Sequence, residues 1–267
     1  MDGVIAIVLG GSVARGQANL ASDVDLGIYY HPDEPPSLDA LRAVASRLDD
    51  RRRGDGVTEF GEWGPWINGG AWLRIDRVNV DWLYRDLTRV TQSIEESRHG
   101  HVAVHYQPGH PFDFTSFTYM GEINTCLPLY DPQNTIIALK GLTTPYPEVL
   151  KRTIADRFLW EAEFALESGQ SSADRGDVFY VVGCLFGSVS CLVQVLFALN
   201  ERYLINEKRS LAAVDNLPLG LSDFRAIVED ILGHPGSRPA DLRESLLRMG
   251  QVVEFVRTLW LSVRRPT

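Results

Sequence analysis

The feature that most constrains this chain lies at its start. A short apolar run, Val4–Leu9, stops at Gly10-Gly11-Ser12, and a second apolar run, Val24–Tyr30, is entered through Ser22-Asp23-Val24-Asp25. The first run reads as a buried strand ended by glycine, the second as another strand. Glycines and a serine at a strand end let backbone N–H groups approach an anion closely. Asp23 and Asp25, spaced i, i+2 on a strand, place both carboxylates on one face. Two carboxylates so close repel unless a cation sits between them. Mg²⁺ favours one or two carboxylates plus substrate phosphates, so the segment predicts a site for Mg-nucleotide chemistry.

A third carboxylate is expected at Asp81. In Arg77-Val78-Asn79-Val80-Asp81-Trp82-Leu83, the apolar residues Val78, Val80 and Trp82 alternate with Asn79 and Asp81. Asp81 therefore points away from the apolar face. If this strand pairs beside Val24–Tyr30, Asp81 joins Asp23 and Asp25, and three carboxylates can hold two ions about 3.5–4 Å apart.

Gly11-Ser12, Ala14-Arg15-Gly16 and Ser22-Asp23-x-Asp25-Leu26 resemble the signature of the DNA polymerase β-type nucleotidyltransferase superfamily. The resemblance is to its small bacterial branch of aminoglycoside, lincosamide and minimal, antitoxin-like nucleotidyltransferases. It covers Val4 to Tyr30 plus Asp81. It implies that Asp23 and Asp25 are metal ligands, that Asp81 is the third carboxylate, and that Gly11 and Ser12 hold the β- and γ-phosphates with support from Ser22. Arg15 would either contact phosphate or brace the loop. Two departures stand out: the first strand begins almost at Met1, where relatives usually carry a preceding helix, and the gap to Asp81 is long.

Other motifs carry less. No Lys-Ser/Thr follows the glycine loop, so it is not a Walker P-loop. His99, His101, His105 and His110 cluster in sequence, but Gly100, Pro108, Gly109 and Pro111 break any common helix, and exposed loop histidines are expected. Arg51-Arg52-Arg53 reads as a solvated turn or, more sharply, a phosphate patch. Trp63, Trp66 and Trp72 read as core aromatics or as the lining of an acceptor pocket.

The fold class expected is α+β. Residues 1–145 read as a mixed-sheet nucleotidyltransferase domain with helices, and residues 146–267 as an all-α helical domain, with the site in the cleft between them. Ser37 is placed to cap a helix through Leu38, Leu41, Val44 and Leu48. Residues 56–70 read as a loop or irregular hairpin, 72–75 and 77–83 as strands paired across Asp76, and the stretch to Asp131 as β-rich or irregular. Beyond Pro147, helical periodicity covers 157–166, 178–199 and 241–262, with breaks at 169–177, 218–223 and 234–239.

In the helical half, the resemblance makes Glu161 or Glu163 a candidate general base, against a solvated helix face. Lys208 could reach the triphosphate and Tyr203 stack on the base, against an ordinary polar helix end.

Composition narrows the setting. The 267 residues carry 26 Lys and Arg against 35 Asp and Glu, a net charge of −9, which argues against a nucleic-acid partner. Three cysteines at no metal-ligand spacing point to a reducing, cytoplasmic setting. The start, Met-Asp-Gly-Val, has no basic region and too short an apolar run for a signal peptide. Val178–Leu199 lacks formal charge and is long enough to span a bilayer, but its serines, glutamine and glycines fit a buried helix of a helical domain, and no membrane is expected.

Together these readings predict Mg-dependent transfer of a nucleoside monophosphate, AMP from ATP or its equivalent from another NTP, to a hydroxyl of a small molecule. The alternatives are nucleotidylation of a protein or RNA end, and a degenerate nucleotide-binding module without turnover.

Overall fold

The computed structural model describes residues 2–19 and 22–264. They divide into two compact units, residues 1–99 with 103–145, and residues 100–102 with 146–267.

The first unit is built on a mixed five-stranded sheet. Strand β1 (Val4–Leu9) leads through a one-turn helix, α1 (Gly11–Ala14), to β2 (Val24–Tyr30). Helix α2 (Leu38–Leu48) is capped by Ser37, whose Oγ accepts from the Ala40 N–H at 3.3 Å. A two-residue turn joins β3 (Gly70–Ile75) to β4 (Val78–Asp86). Its residues Asp76 and Arg77 both have positive φ, 50° and 69°. Such turns match the twist of a hairpin, and here both N–H groups donate to the Asp50 carboxylate, at 3.1 and 2.9 Å. Helix α3 (Leu87–Arg98) follows, then β5 (Val104–His105), β6 (Phe114–Thr115), α4 (Thr118–Thr125), β7 (Leu127–Tyr130) and α5 (Thr135–Leu142).

The sheet order is β3-β4-β2-β1-β7. Only β2 and β4 pair in parallel, and the remaining neighbours are antiparallel. One face is apolar: Ile28, Tyr30, Ala71, Leu73, Val80, Trp82 and Tyr84 pack with Leu41 and Ala45 of α2. The alternation that puts these side chains on one face sends Asp25 and Asp81 to the other.

The second unit is helical. It comprises α6 (Glu148–Asp174), α7 (Val178–Leu199), α8 (Ser210–Val214), α9 (Phe224–Gly233) and α10 (Pro239–Val263). Its core is drawn from α6, α7 and α10, with Ile154, Phe158, Leu185, Leu192, Leu242 and Met249 all within 1% of full burial. Helix α7 is long and apolar enough to cross a membrane by length and composition, and 61% of its most apolar window is buried.

Two expectations are corrected. The stretch between β4 and Asp131 is not chiefly β: it holds α3 and α4. The signal for α3 was present, since Asp86 accepts from the Arg89 N–H at 3.1 Å as an N-cap and Leu87, Val90, Ile94 and Ser97 recur at helical spacing and are buried. Nor does the helical half break at Gly169, because α6 runs on to Asp174. Gly169 is buried, and a Cβ there would meet Leu246 Cδ2 of α10 at 3.0 Å. Close helix packing offsets the roughly 1 kcal/mol that glycine costs a helix interior.

Candidate active site

Three strands and a loop build the site. The register pairs Asp25 of β2 with Asp81 of β4, and Asp81 with Trp72 of β3. On the far side of Asp25 lies the turn that ends β1, where the Gly10 N–H donates to the Asp25 carbonyl at 2.8 Å. The order across the sheet is therefore glycine loop, Asp25, Asp81, Trp72. Neighbouring strands lie about 4.8 Å apart, so this row places the four within reach of one phosphate ester and its acceptor.

Gly11 is required by contact as well as conformation. Its φ is +60°, and a Cβ built on it would fall 1.6 Å from Asp25 Oδ2. The loop backbone thus lies directly against the carboxylate, and a side chain at this position would strain the backbone and push the carboxylate aside. Past it, Gln17 N–H donates to the Ser12 carbonyl at 2.9 Å, and Gly16, with φ +65°, closes the turn. Arg15 is exposed and its Nε donates to Gln17 Oε1 at 3.4 Å, so in this structure it braces the loop. Ser22 Oγ accepts from the Asn19 N–H at 2.9 Å and so shapes the approach to β2.

Asp23 is exposed, while Asp25 and Asp81 are half-buried. Asp23 Oδ1 accepts from Asn79 Nδ2 at 3.0 Å. Asp23, Asn79 and Asp81 line one depression of about 350 Å³ with Arg51, Trp72 and Leu73. The donors are hard oxygens with open access, which suits a divalent cation that keeps substrate phosphates among its ligands. Two carboxylates fit that demand. Among the described residues no group of three such side chains is found in a metal-holding arrangement, while the register sets Asp25 beside Asp81.

Arg51, Asn79 and Trp72 are the members of this site that sequence reasoning missed or underweighted. Arg51 is not simply a solvated turn residue. Its Nη2 donates to Asp49 Oδ1 and to the Trp72 carbonyl, each at 3.1 Å. Asp49 is buried and also accepts from the N–H groups of Arg74 at 2.7 Å, Arg51 at 3.1 Å and Arg53 at 3.3 Å. The Arg51 guanidinium, with those amides and against the opposing effect of burial, holds the Asp49 carboxyl down to about 2. Arg52 donates to the Arg47 carbonyl and Arg53 pairs with Asp55. An i, i+2 polar pattern could have flagged Asn79, but nothing local marks Arg51.

The remaining candidates belong to the second unit, where each has local partners. Glu161 accepts from Arg157 Nε at 2.7 Å, and Glu163 is ion-paired with Arg257. Tyr203 stacks on Tyr146 with centroids 4.6 Å apart, and burial pushes its hydroxyl well above its ordinary range. Lys208 is exposed in a turn, its N–H held by Asn206 Oδ1 at 2.8 Å. The histidines of the first unit take separate roles: His99 Nδ1 bonds the Glu95 carbonyl at 2.8 Å, His105 stacks on Trp66 with centroids 4.0 Å apart, and His110 meets the edge of Phe114. Burial, with Arg89 nearby, pushes the His105 imidazole below its ordinary value.

Comparison with known proteins bears on the first part of the chain. Residues 1–97, which contain the glycine loop, the aspartate pair and β4, match the nucleotidyltransferase domain. Among solved structures, the chain is similar to a nucleotidyltransferase-like protein from Exiguobacterium sibiricum, with 10% identity, 99% of this chain and 76% of that chain covered, and a TM-score of 0.46. No curated protein matches. The segment that carries the glycine loop and the three aspartates is thus similar to nucleotidyltransferase domains.

Proposed function

We propose that this enzyme moves AMP from ATP to a hydroxyl of a small molecule and releases pyrophosphate. The observation that carries the reading is the row across the sheet: a glycine loop packed on Asp25, Asp25 in register with Asp81, and Asp23 sharing a depression with Asp81. The acceptor oxygen attacks the α-phosphorus, the bond from that phosphorus to the bridging oxygen breaks, and pyrophosphate leaves with the electron pair.

In this reading Gly11 and Ser12 hold the β- and γ-phosphates through loop N–H groups, and Ser22 and Arg15 keep that loop in shape. Asp23, Asp25 and Asp81 would hold Mg²⁺, as two ions. Mg²⁺ held there would supply charge neutralisation at the phosphates and a lower pKa for the attacking hydroxyl. The chain's own contribution is alignment and fixed charge. We assign residues 1–145 to the nucleotidyltransferase domain and 146–267 to a helical domain. Three free cysteines support a reducing, cytoplasmic setting.

The test is thermal unfolding with each nucleoside triphosphate, with and without Mg²⁺, for wild type and Asp23→Asn/Asp25→Asn. At about 100 times its Kd, MgATP stabilises wild type by roughly 2.7 kcal/mol, and the double variant loses that shift. No Mg-dependent shift with any nucleotide, or an equal shift in the double variant, overturns the reading.

A further inference from the structure

Trp72 is a conspicuous residue for its position. It lies on β3, an edge strand of the sheet, and is 64% exposed. An indole left so far in water forfeits most of what burial would contribute, so packing alone does not account for it. Yet it is held firmly. Its ring stacks on Trp63 with centroids 4.4 Å apart and planes 21° from parallel. Trp63 is itself tied down by Gln107, whose buried amide donates to the Trp63 carbonyl at 2.7 Å. The Trp72 carbonyl accepts from Arg51, which buried Asp49 orients. The result is a rigid aromatic shelf with one face on Trp63 and an open side on the depression that Asp23, Asn79 and Asp81 line.

The direction of the reaction says what the shelf serves. In-line displacement at phosphorus requires the nucleophile to enter opposite the leaving group. On the proposed reading, on which this inference rests, the leaving pyrophosphate lies at the Gly11–Ser12 loop. The row then runs away from that loop through Asp25 and Asp81 to Trp72. The acceptor must therefore come from the β3 side, across the face of Trp72. We infer that Trp72, backed by Trp63 and flanked by Arg51, is the acceptor subsite, and that the acceptor is a hydroxyl compound bearing a ring with an apolar face. The ring lies on the indole. The hydroxyl points to Asp81, and a hydrogen-bond acceptor or anionic group on the same molecule meets the half-exposed Arg51 guanidinium.

The experiment follows label from α-³²P-ATP into two sets of hydroxyl compounds. The ring set is a methyl glycoside, an aryl glycoside, an inositol and a nucleoside, and the linear set is glycerol and sorbitol. Wild type, Trp72→Ala and Trp72→Phe are compared, and MgATP stabilisation is measured in parallel. Ring compounds should be labelled in preference to linear ones. Trp72→Ala should lower kcat/KM for them by about tenfold, chiefly through KM, and Trp72→Phe should stay within about threefold of wild type, as expected for lost and retained stacking. MgATP stabilisation should be the same in all three.

Label on linear polyols alone, equal rates in Trp72→Ala, or no labelled ring compound while MgATP still binds would overturn the acceptor assignment. Loss of MgATP stabilisation in Trp72→Ala alone would reassign the shelf to the donor's base and overturn it as well. A wild type that MgATP does not stabilise at all would instead remove the transfer reading beneath it.

Discussion

The two units of this protein are held together in different ways. In the sheet unit, polar side chains bridge distant parts of the chain from buried positions. Arg85 of β4, 3% exposed, makes two bonds of 2.8 Å to Glu122 of α4 and also donates to the carbonyls of Ile67 and Tyr84. Asp49 gathers Arg51, Arg53 and Arg74 in the same manner. In the helical unit, α6, α7 and α10 meet chiefly through apolar side chains, and the ion pairs lie toward the surface, some within one helix, as Arg152 with Glu148 and Arg225 with Glu229, and some between helices, as Arg257 with Glu163 and Arg243 with Asp174. A sheet whose one face must carry carboxylates has less apolar surface to bury, and charged anchors do the cross-linking instead. A helix bundle buries a continuous apolar core and can leave its ion pairs at the surface.

That contrast can be broken at specific places. Glu122→Ala leaves the Arg85 guanidinium buried without its partner, and it should destabilise the protein by about 3–5 kcal/mol. Denaturant unfolding of the variant measures this, and a loss below about 1 kcal/mol would mean water reaches Arg85 and the anchor is not what holds α4 to the sheet. Leu192→Ala, at a fully buried position of α7, should cost about 2–5 kcal/mol through lost transfer energy and the cavity left behind. A cost near that of a surface change would show that the bundle closes around the gap.

A smaller effect appears in acid. Asp49 ionises at about 2 in the folded protein against an ordinary 3.8. Between those values the unfolded chain takes up the proton first, so the contribution of Asp49 is complete above about pH 4 and is lost as pH falls toward 2. Stability measured across that window should fall less steeply in Asp49→Asn than in wild type. The smallest change is expected at an exposed pair: Glu229→Gln should move stability by no more than about 0.5 kcal/mol, and the shift should vanish in high salt.

Legibility in the sequence followed the range of the interaction. Val4–Leu9, Val24–Tyr30, the Ser37 cap and the hairpin turning at Asp76 all depend on neighbours a few positions away, and each was readable as such. The glycine–serine loop and the Asp23, Asp25 pair were readable for the same reason, since loop conformation and strand alternation are local properties. Helix α3 was locally encoded too, and went unread because its polar residues diluted the apolar spacing. Other features depended on pairing across long stretches of chain. Asp81 reached Asp25 only because β4 pairs in parallel with β2 in one register, and a slip by one residue would have turned it into the core. Trp72 became part of the site through its pairing with Asp81. Arg51 entered it through its bond to the Trp72 carbonyl, 21 residues further along the chain. By itself, then, the sequence determined the strands, the loop and the placing of the aspartate pair on one strand, because backbone conformation and side-chain alternation are set within a few residues. Tertiary structure alone decided which third carboxylate, which aromatic ring and which arginine stand beside that pair, because strand register and buried charge partners are settled only when distant segments compete for the same surface.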